Sequence, residues 1–132
     1  MKKTFLSVST LLLACSLQMN AAEVDFEKEI KPILESRCVK CHGEKKQKGD
    51  FRLDNAADLI DSGDSAPNVV AGAPGESYLV ELIAMTEDDD DVMPPKGGVL
   101  EKAQVDKIKQ WIAEGAKWPE GVTLEDKSPK KK

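Results

Sequence analysis

Ser36-Arg37-Cys38-Val39-Lys40-Cys41-His42-Gly43 holds two of the three cysteines of the chain and its only histidine. Positions 38 to 42 therefore carry every thiol and imidazole except Cys15. The second thiol follows the first by three residues and the imidazole follows it by four, so at the end of a helix all three groups share one face. The preceding residues agree with such a helix. Phe26, Ile30, Ile33 and Leu34 form the i, i+4, i+7, i+8 stripe of an amphipathic segment that begins at Asp25. Pro32 interrupts it, so either the helix kinks there or a second helical segment starts with the proline near its N-terminus.

The N-terminus has a different character. Met1-Lys2-Lys3 followed by the apolar run from Phe5 to Leu17 reads as an export signal, too short to span a bilayer as a stable helix. A cut after Ala22 assigns residues 1–22 to a signal peptide and sends the product to the periplasm. Leu12-Leu13-Ala14-Cys15 offers an alternative, because it resembles a lipobox that would make Cys15 the lipidated first residue of a membrane-anchored lipoprotein. Removing 22 of 132 residues leaves 110, the size of one domain. We expect that domain over 23–119 and a disordered basic tail over 120–132, where Lys127 and Lys130 to Lys132 surround Ser128-Pro129.

Bulk composition narrows the partners. Aromatic residues make up 5% and charged residues 33%, so the core is thin and a large bound apolar group would help the chain fold. Loss of Lys2 and Lys3 takes the basic count from 19 to 17 against 24 acidic residues, a net charge of −7. Nucleic acid and anionic membrane surfaces both need a positive face, and neither is an expected partner. No integral membrane span is expected either.

Further along, Gly43 to Asp50 reads as a polar loop and Phe51 to Asp54 as a brief extended piece. Asp54 or Asn55 caps a short helix through Ile60 that Ser62-Gly63 ends. Two prolines and two glycines make Ala66 to Gly75 a loop. A helix follows over Glu76 to Met85, with Tyr78, Leu79, Leu82, Ile83 and Met85 largely on one side. The acidic run Glu87 to Asp91 cannot comfortably extend it, because the C-terminal end of a helix repels anions. After the Val92-Met93-Pro94-Pro95 loop comes the clearest helix, Glu101 to Glu114, with a stripe of Val105, Ile108, Trp111 and Ile112 and a stop at Gly115. No convincing strand alternation appears.

Two thiols and an imidazole at these offsets match the c-type haem attachment pattern, with thioether bonds through Cys38 and Cys41 and His42 reaching the iron. A structural disulfide, a half zinc site and a redox-active dithiol compete with it. Zinc lacks further Cys or His donors, and a thioredoxin-like dithiol would need alternating strands and helices. If iron is present, its sixth ligand cannot be a second histidine. Met85 and Met93 are the thioethers left once the signal is removed. Met85 reads as core filling on its helix, whereas Met93 precedes Pro94-Pro95, which stiffens the loop and presents the side chain at small entropic cost.

Several segments together carry a family resemblance: Ile30-Lys31-Pro32-Ile33-Leu34 before the Cys-Val-Lys-Cys-His-Gly motif, Lys46 to Asp54, Val92 to Gly97, and Trp111 to Pro119. They resemble the planctomycete-type cytochrome c domain over about Val24 to Pro119. The resemblance implies an all-α fold, a class I cytochrome c-like small helical domain around one covalent haem c attached at Cys38 and Cys41. It also implies His42 as proximal and Met93 as distal axial ligand. The expected function is an exported monohaem cytochrome, not an enzyme, that passes single electrons between redox partner proteins, because a His and Met pair fills both axial positions. The alternatives are a five-coordinate haem protein that binds gases or peroxide, with peroxidase activity, and a non-haem exported interaction module stapled by a Cys38–Cys41 disulfide. Arg52, Lys96 and the Trp118 indole are candidates to meet a haem propionate, and the Glu87 to Asp91 run is a candidate tuner of the potential.

Overall fold

The computed structural model describes residues 22–65, 67–95 and 98–130. A π-helical turn at Phe26–Ile30 runs directly into α1 (Lys31–Arg37), and a two-residue hairpin then pairs β1 (His42–Gly43) with β2 (Lys46–Gln47). Helices α2 (Ala56–Asp61), α3 (Tyr78–Ile83) and α4 (Lys102–Ala113) follow. Tight 3-10 turns at Lys48–Asp50 and Pro74–Glu76 lie between them.

Local chemistry explains where the helices begin. The Asp25 carboxylate accepts the Lys28 N–H at 3.1 Å and so opens the N-terminal turn. Pro32 is the second residue of α1, where its missing N–H costs nothing, so the second of the two readings of that proline holds. Asn55 caps α2 by accepting the Asp58 N–H at 3.0 Å. Glu101 and Gln104 close a capping box at the start of α4, and Gly115, at φ +107°, adopts the left-handed conformation that stops it. Helix α3 is shorter than the sequence suggests. Pro74–Glu76 forms its own turn before it, and beyond Ala84 a local turn takes over in which the Thr86 N–H and hydroxyl both donate to Asp89 Oδ2, at 2.9 and 3.0 Å.

The stripe residues meet in one core. Phe26, Ile30 and Leu34 are buried, as are Val105, Ile108, Trp111 and Ile112 of α4. The N-terminal turn packs on α4 through an aromatic group: Phe26 lies 5.7 Å from Trp111 and 4.6 Å from Trp118 by ring centroid. Such pairs contribute beyond their buried area, which matters in a chain with few aromatics. Ion pairing of Lys107 with Glu29 at 2.9 Å and donation of the Val24 N–H to the Glu114 carboxylate at 2.8 Å tie the same two segments at the surface. Among the described residues no helix is long and apolar enough to cross a membrane.

Two expectations need correction. The fold is helical but not strictly all-α, because His42 and Gly43 pair antiparallel with Gln47 and Lys46. Strands of two residues are too short to show any alternation in the sequence. Residues 120–130, expected as part of a disordered tail, instead form an extended strap. Leu124 is 3% exposed and its N–H donates to the Asp54 carbonyl at 2.8 Å. The Glu125 N–H donates to the Glu35 carboxylate at 3.1 Å, the Lys127 N–H to the Glu35 carbonyl at 3.0 Å, and the Lys127 ammonium pairs with the same carboxylate at 2.6 Å. Composition counts the lysines of this segment but does not reveal that one of them is the counter-charge of a buried acid.

The strap makes a direct prediction. Replacing Leu124 with Ala lowers the unfolding free energy by about 2–5 kcal/mol, as for other buried leucines, in urea denaturation of the exported product. An unpacked tail would leave the midpoint unchanged.

Candidate functional site

The motif turn continues α1. The Cys38 N–H donates to the Leu34 carbonyl at 2.9 Å, and the Cys38 carbonyl accepts the N–H groups of both Cys41 and His42 at 3.1 Å. Hydrogen bonds of these spans wind the five residues into one tight turn, which brings both thiols and the ring to a common wall. Gly43 closes the turn because nothing larger fits: a Cβ there would lie 2.7 Å from the Val39 carbonyl oxygen and 2.9 Å from Val39 Cγ1. The following loop is tied back by the Lys48 N–H, which donates to the Cys41 carbonyl at 3.0 Å, and by the Leu53 N–H, which donates to the His42 carbonyl at 2.9 Å.

His42 Nδ1 lies 3.3 Å from the Phe51 carbonyl oxygen. A carbonyl can only accept, so Nδ1 carries the proton and Nε2 the lone pair. The Phe51 ring, 5.1 Å away and tilted by 55°, packs against the imidazole. Burial pushes the imidazole pKa below its ordinary 6.5, while the Phe51 and Lys48 carbonyls oppose that shift and the Lys48 charge adds to it. The ring is therefore neutral at pH 7, the form that binds a metal. Cys38 and Cys41 are free thiols. Burial pushes the Cys38 thiol up to about 12, against a smaller opposing effect of Arg37 and with a small addition from Cys41, so it stays protonated.

A cavity of about 420 Å³ opens on this turn. Cys38, Cys41 and His42 line it together with apolar Phe51, Leu53, Leu79, Leu82 and Ile83, and Met93, Pro94 and Pro95 are also part of the lining. The Met93 N–H donates to the Leu82 carbonyl at 3.1 Å, which fixes the loop to the end of α3, and the Met93–Pro94 bond is cis. Met85 is elsewhere, in a separate surface depression with Ile83, Leu100 and Val105. The structure thus brings four sequence-expected residues, Cys38, Cys41, His42 and Met93, to one cavity and leaves Met85 out.

Other expectations fare differently. Arg52 holds the buried Asp54 carboxylate at 2.6 and 2.9 Å and approaches Asp58 at 3.5 Å, and it does not line the cavity. The Trp118 indole donates to the Val122 carbonyl at 2.8 Å and does not line it either. Lys96 and Cys15 fall outside the described residues. The exposed run Glu87 to Asp91 contributes nothing to the cavity lining. Sequence reasoning missed Arg37, Asn68, Tyr78 and Ser128, all of which line the cavity. Arg37, next to the motif, carried a signal of position; Ser128 carried none, because only the strap brings it there.

Residues 38–97 match the family model described as Planctomycete cytochrome C. The match supports a planctomycete-type cytochrome c domain over this segment. No curated protein and no solved structure matches the chain. The match starts at the first thiol of the motif and runs through the Met93 loop, so it covers Cys38, Cys41, His42 and Met93. A cytochrome c domain implies haem c as cofactor and electron transfer as role.

The residues present fit that group. The cavity has the volume and apolar lining of a cofactor pocket. Its wall offers two unpaired thiols, a neutral imidazole whose proton is fixed on Nδ1, and one thioether. A zinc site does not fit as well: among the described residues no group of three or more His, Cys, Asp or Glu could hold a metal ion.

Two outcomes follow for the motif. Gly43→Ala forces the Val39 carbonyl aside and costs about 1–3 kcal/mol of stability, read from chemical denaturation. Acidification acts through His42, the only histidine. Its folded pKa lies below 6.5, so the unfolded chain takes up the proton first; stability is complete above about pH 6.5 and falls as the pH drops toward the folded value. Thermal melts at pH 7 and about pH 5, above the range where ordinary carboxylates titrate, measure the loss.

Proposed function

We propose that the chain is an exported monohaem c-type cytochrome that carries single electrons between redox proteins, with one covalent haem c held by Cys38 and Cys41. His42 Nε2 and Met93 Sδ would hold its iron. The observation that supports it best is the meeting of these four side chains at one apolar cavity, while the other methionine of the domain lines a different depression.

Haem supplies a one-electron ferric/ferrous couple, and everything else falls to the chain. The motif turn holds two thiols at the spacing that suits two thioether bonds. The Phe51 carbonyl orients the imidazole and increases its basicity through the Nδ1 proton, as partners of metal-bound histidines generally do. Burial keeps that ring neutral. Leu53, Leu79, Leu82 and Ile83 exclude water, and a dry site disfavours the extra charge of the ferric form. A thioether ligand favours the ferrous form further and raises the potential. With His42 and Met93 both holding the iron, the domain would transfer electrons and would not bind substrate there, which is the reading of a carrier and not of an enzyme.

Placement in the cell rests on the Lys2-Lys3 and Phe5 to Leu17 pattern, which supports export to the periplasm. Tethering through a lipidated Cys15 is the alternative outcome, and the mass of the mature chain separates the two.

The test uses protein exported from a host competent for cytochrome maturation. Its mass should exceed that of the polypeptide by one haem, and its ferric spectrum should show the sulfur-to-iron charge-transfer absorbance at the red end. Met93→Ala abolishes that absorbance and lowers the midpoint potential, whereas Met85→Ala leaves both as they were. A colourless product with the mass of its amino acids overturns the proposal, and loss of the absorbance in Met85→Ala instead of Met93→Ala reassigns the ligand.

A further inference from the structure

Resting on the cytochrome reading of the site, we infer that Arg37 is a positioning residue for Met93, because it locks the far end of the distal loop to the helix that carries the attachment turn. Arg37 is the last residue of α1 and immediately precedes Cys38. Its Nη2 donates to the Gly98 carbonyl at 2.6 Å and to the Val99 carbonyl at 3.0 Å, partners 61 and 62 positions away in the chain. The side chain is half-buried and lines the same cavity as Met93.

The loop therefore has two anchors of different kinds. At its near end the Met93 N–H is bound to the Leu82 carbonyl at 3.1 Å, which ties it to α3. At its far end the Gly98 N–H turns back to the Pro95 carbonyl at 2.9 Å, and the Gly98 carbonyl is held by Arg37. Met93 to Pro95 lie between these two ties. The far anchor is a cation shared between two successive carbonyls, the charge-assisted kind of hydrogen bond and the stronger of the two. A neutral thioether binds iron weakly, so the fraction of time it stays bound depends on how well its loop is held in place. Because the anchor sits one residue before the first attachment cysteine, the distal ligand is referenced to the same turn that fixes the proximal one. The acceptors are carbonyls, which do not titrate, so the latch holds at any pH at which the guanidinium and the fold persist.

A purely structural role would lower stability without selectively freeing the iron, and the experiment separates the two. Holoprotein is prepared as wild type, Arg37→Gln, Arg37→Lys and Asn55→Ala; the last removes the cap of α2 and touches neither loop nor cavity. Each is read for haem mass, for the ferric charge-transfer absorbance and for the rate of cyanide binding to ferric protein. Arg37→Gln should retain its haem, lose much of the charge-transfer absorbance and bind cyanide about tenfold faster or more, the effect of losing charged hydrogen bonds. Arg37→Lys, with the charge on a shorter stem, should fall between it and wild type, and Asn55→Ala should match wild type. Wild-type absorbance and cyanide rate in Arg37→Gln overturn the inference, as does an equal change in Asn55→Ala. If Arg37→Gln yields no holoprotein, Arg37→Lys against wild type decides by the same two readouts. Absence of the absorbance from wild type itself overturns the Met93 assignment on which the inference rests, a different failure from a latch that does nothing.

Discussion

The close approach of Gly43 to the Val39 backbone is the constraint on which the site depends. It lets the chain leave the motif turn immediately after His42 and enter the hairpin, so that the imidazole is pinned between the turn behind it and the Phe51 carbonyl in front. If the chain left later, the ring would follow a wider arc and lose the partner that fixes its tautomer. The two strands contribute little as a sheet. Their role is to bring residues 48 to 53 back over the turn, where the N–H groups of Lys48 and Leu53 bind the carbonyls of Cys41 and His42.

The interior is divided between a packed part and an open one. Phe26, Trp111 and Trp118 form an aromatic group where the N-terminal turn meets α4, and they give that contact a solid core. The other part, bounded by the motif turn, α3 and the Met93 loop, encloses a cavity of about 420 Å³. A large apolar group held in that space would make dispersion contacts along its lining. A small chain with so few aromatics has little stability to spare, and those contacts would add to it. Under the proposed function, the cofactor is thus also a component of the core, which is why the fold tolerates short helices such as α2 and α3.

What the sequence disclosed, and what it hid, follows from the range of the interactions involved. The amphipathic stripes of the N-terminal segment and α4, the Asn55 cap, the Pro32 boundary and the Gly115 stop are set by neighbours within a turn or two, and all are readable from spacing. So was the meeting of Cys38, Cys41 and His42, because a short turn brings them together. Met93 was reachable only by elimination and by the stiffness of Pro94-Pro95, since nothing local says that residue 93 faces residue 38. The extent of α3 was overestimated because periodicity continues to Met85 while the Thr86–Asp89 turn ends the helix. The strap was misread because its lysines outweighed the single Leu124 that buries it. Arg52 looked available until the structure placed the buried Asp54 against it. Each miss concerns a partner distant in sequence or a competing local turn that composition does not reveal.

These long-range ties converge on one short stretch. Glu35 receives the strap through its carbonyl and its carboxylate, Arg37 receives the loop that follows Met93, and Cys38 begins the motif turn. Glu35 is almost fully buried, and its charge is tolerable there because Lys127 and the Glu125 N–H compensate it. The end of α1 therefore acts as the common reference for three segments that are far apart in the chain. A displacement of that helix end would move the thiols, the distal loop and the strap together, which keeps their mutual geometry while the rest of the domain relaxes. Under the proposed function, electron transfer without large rearrangement would draw on that shared anchoring, because the segments that carry His42 and Met93 are both tied to this helix end. A small helical domain without a rigid sheet can achieve it by referring both ligand-bearing segments to one helix terminus.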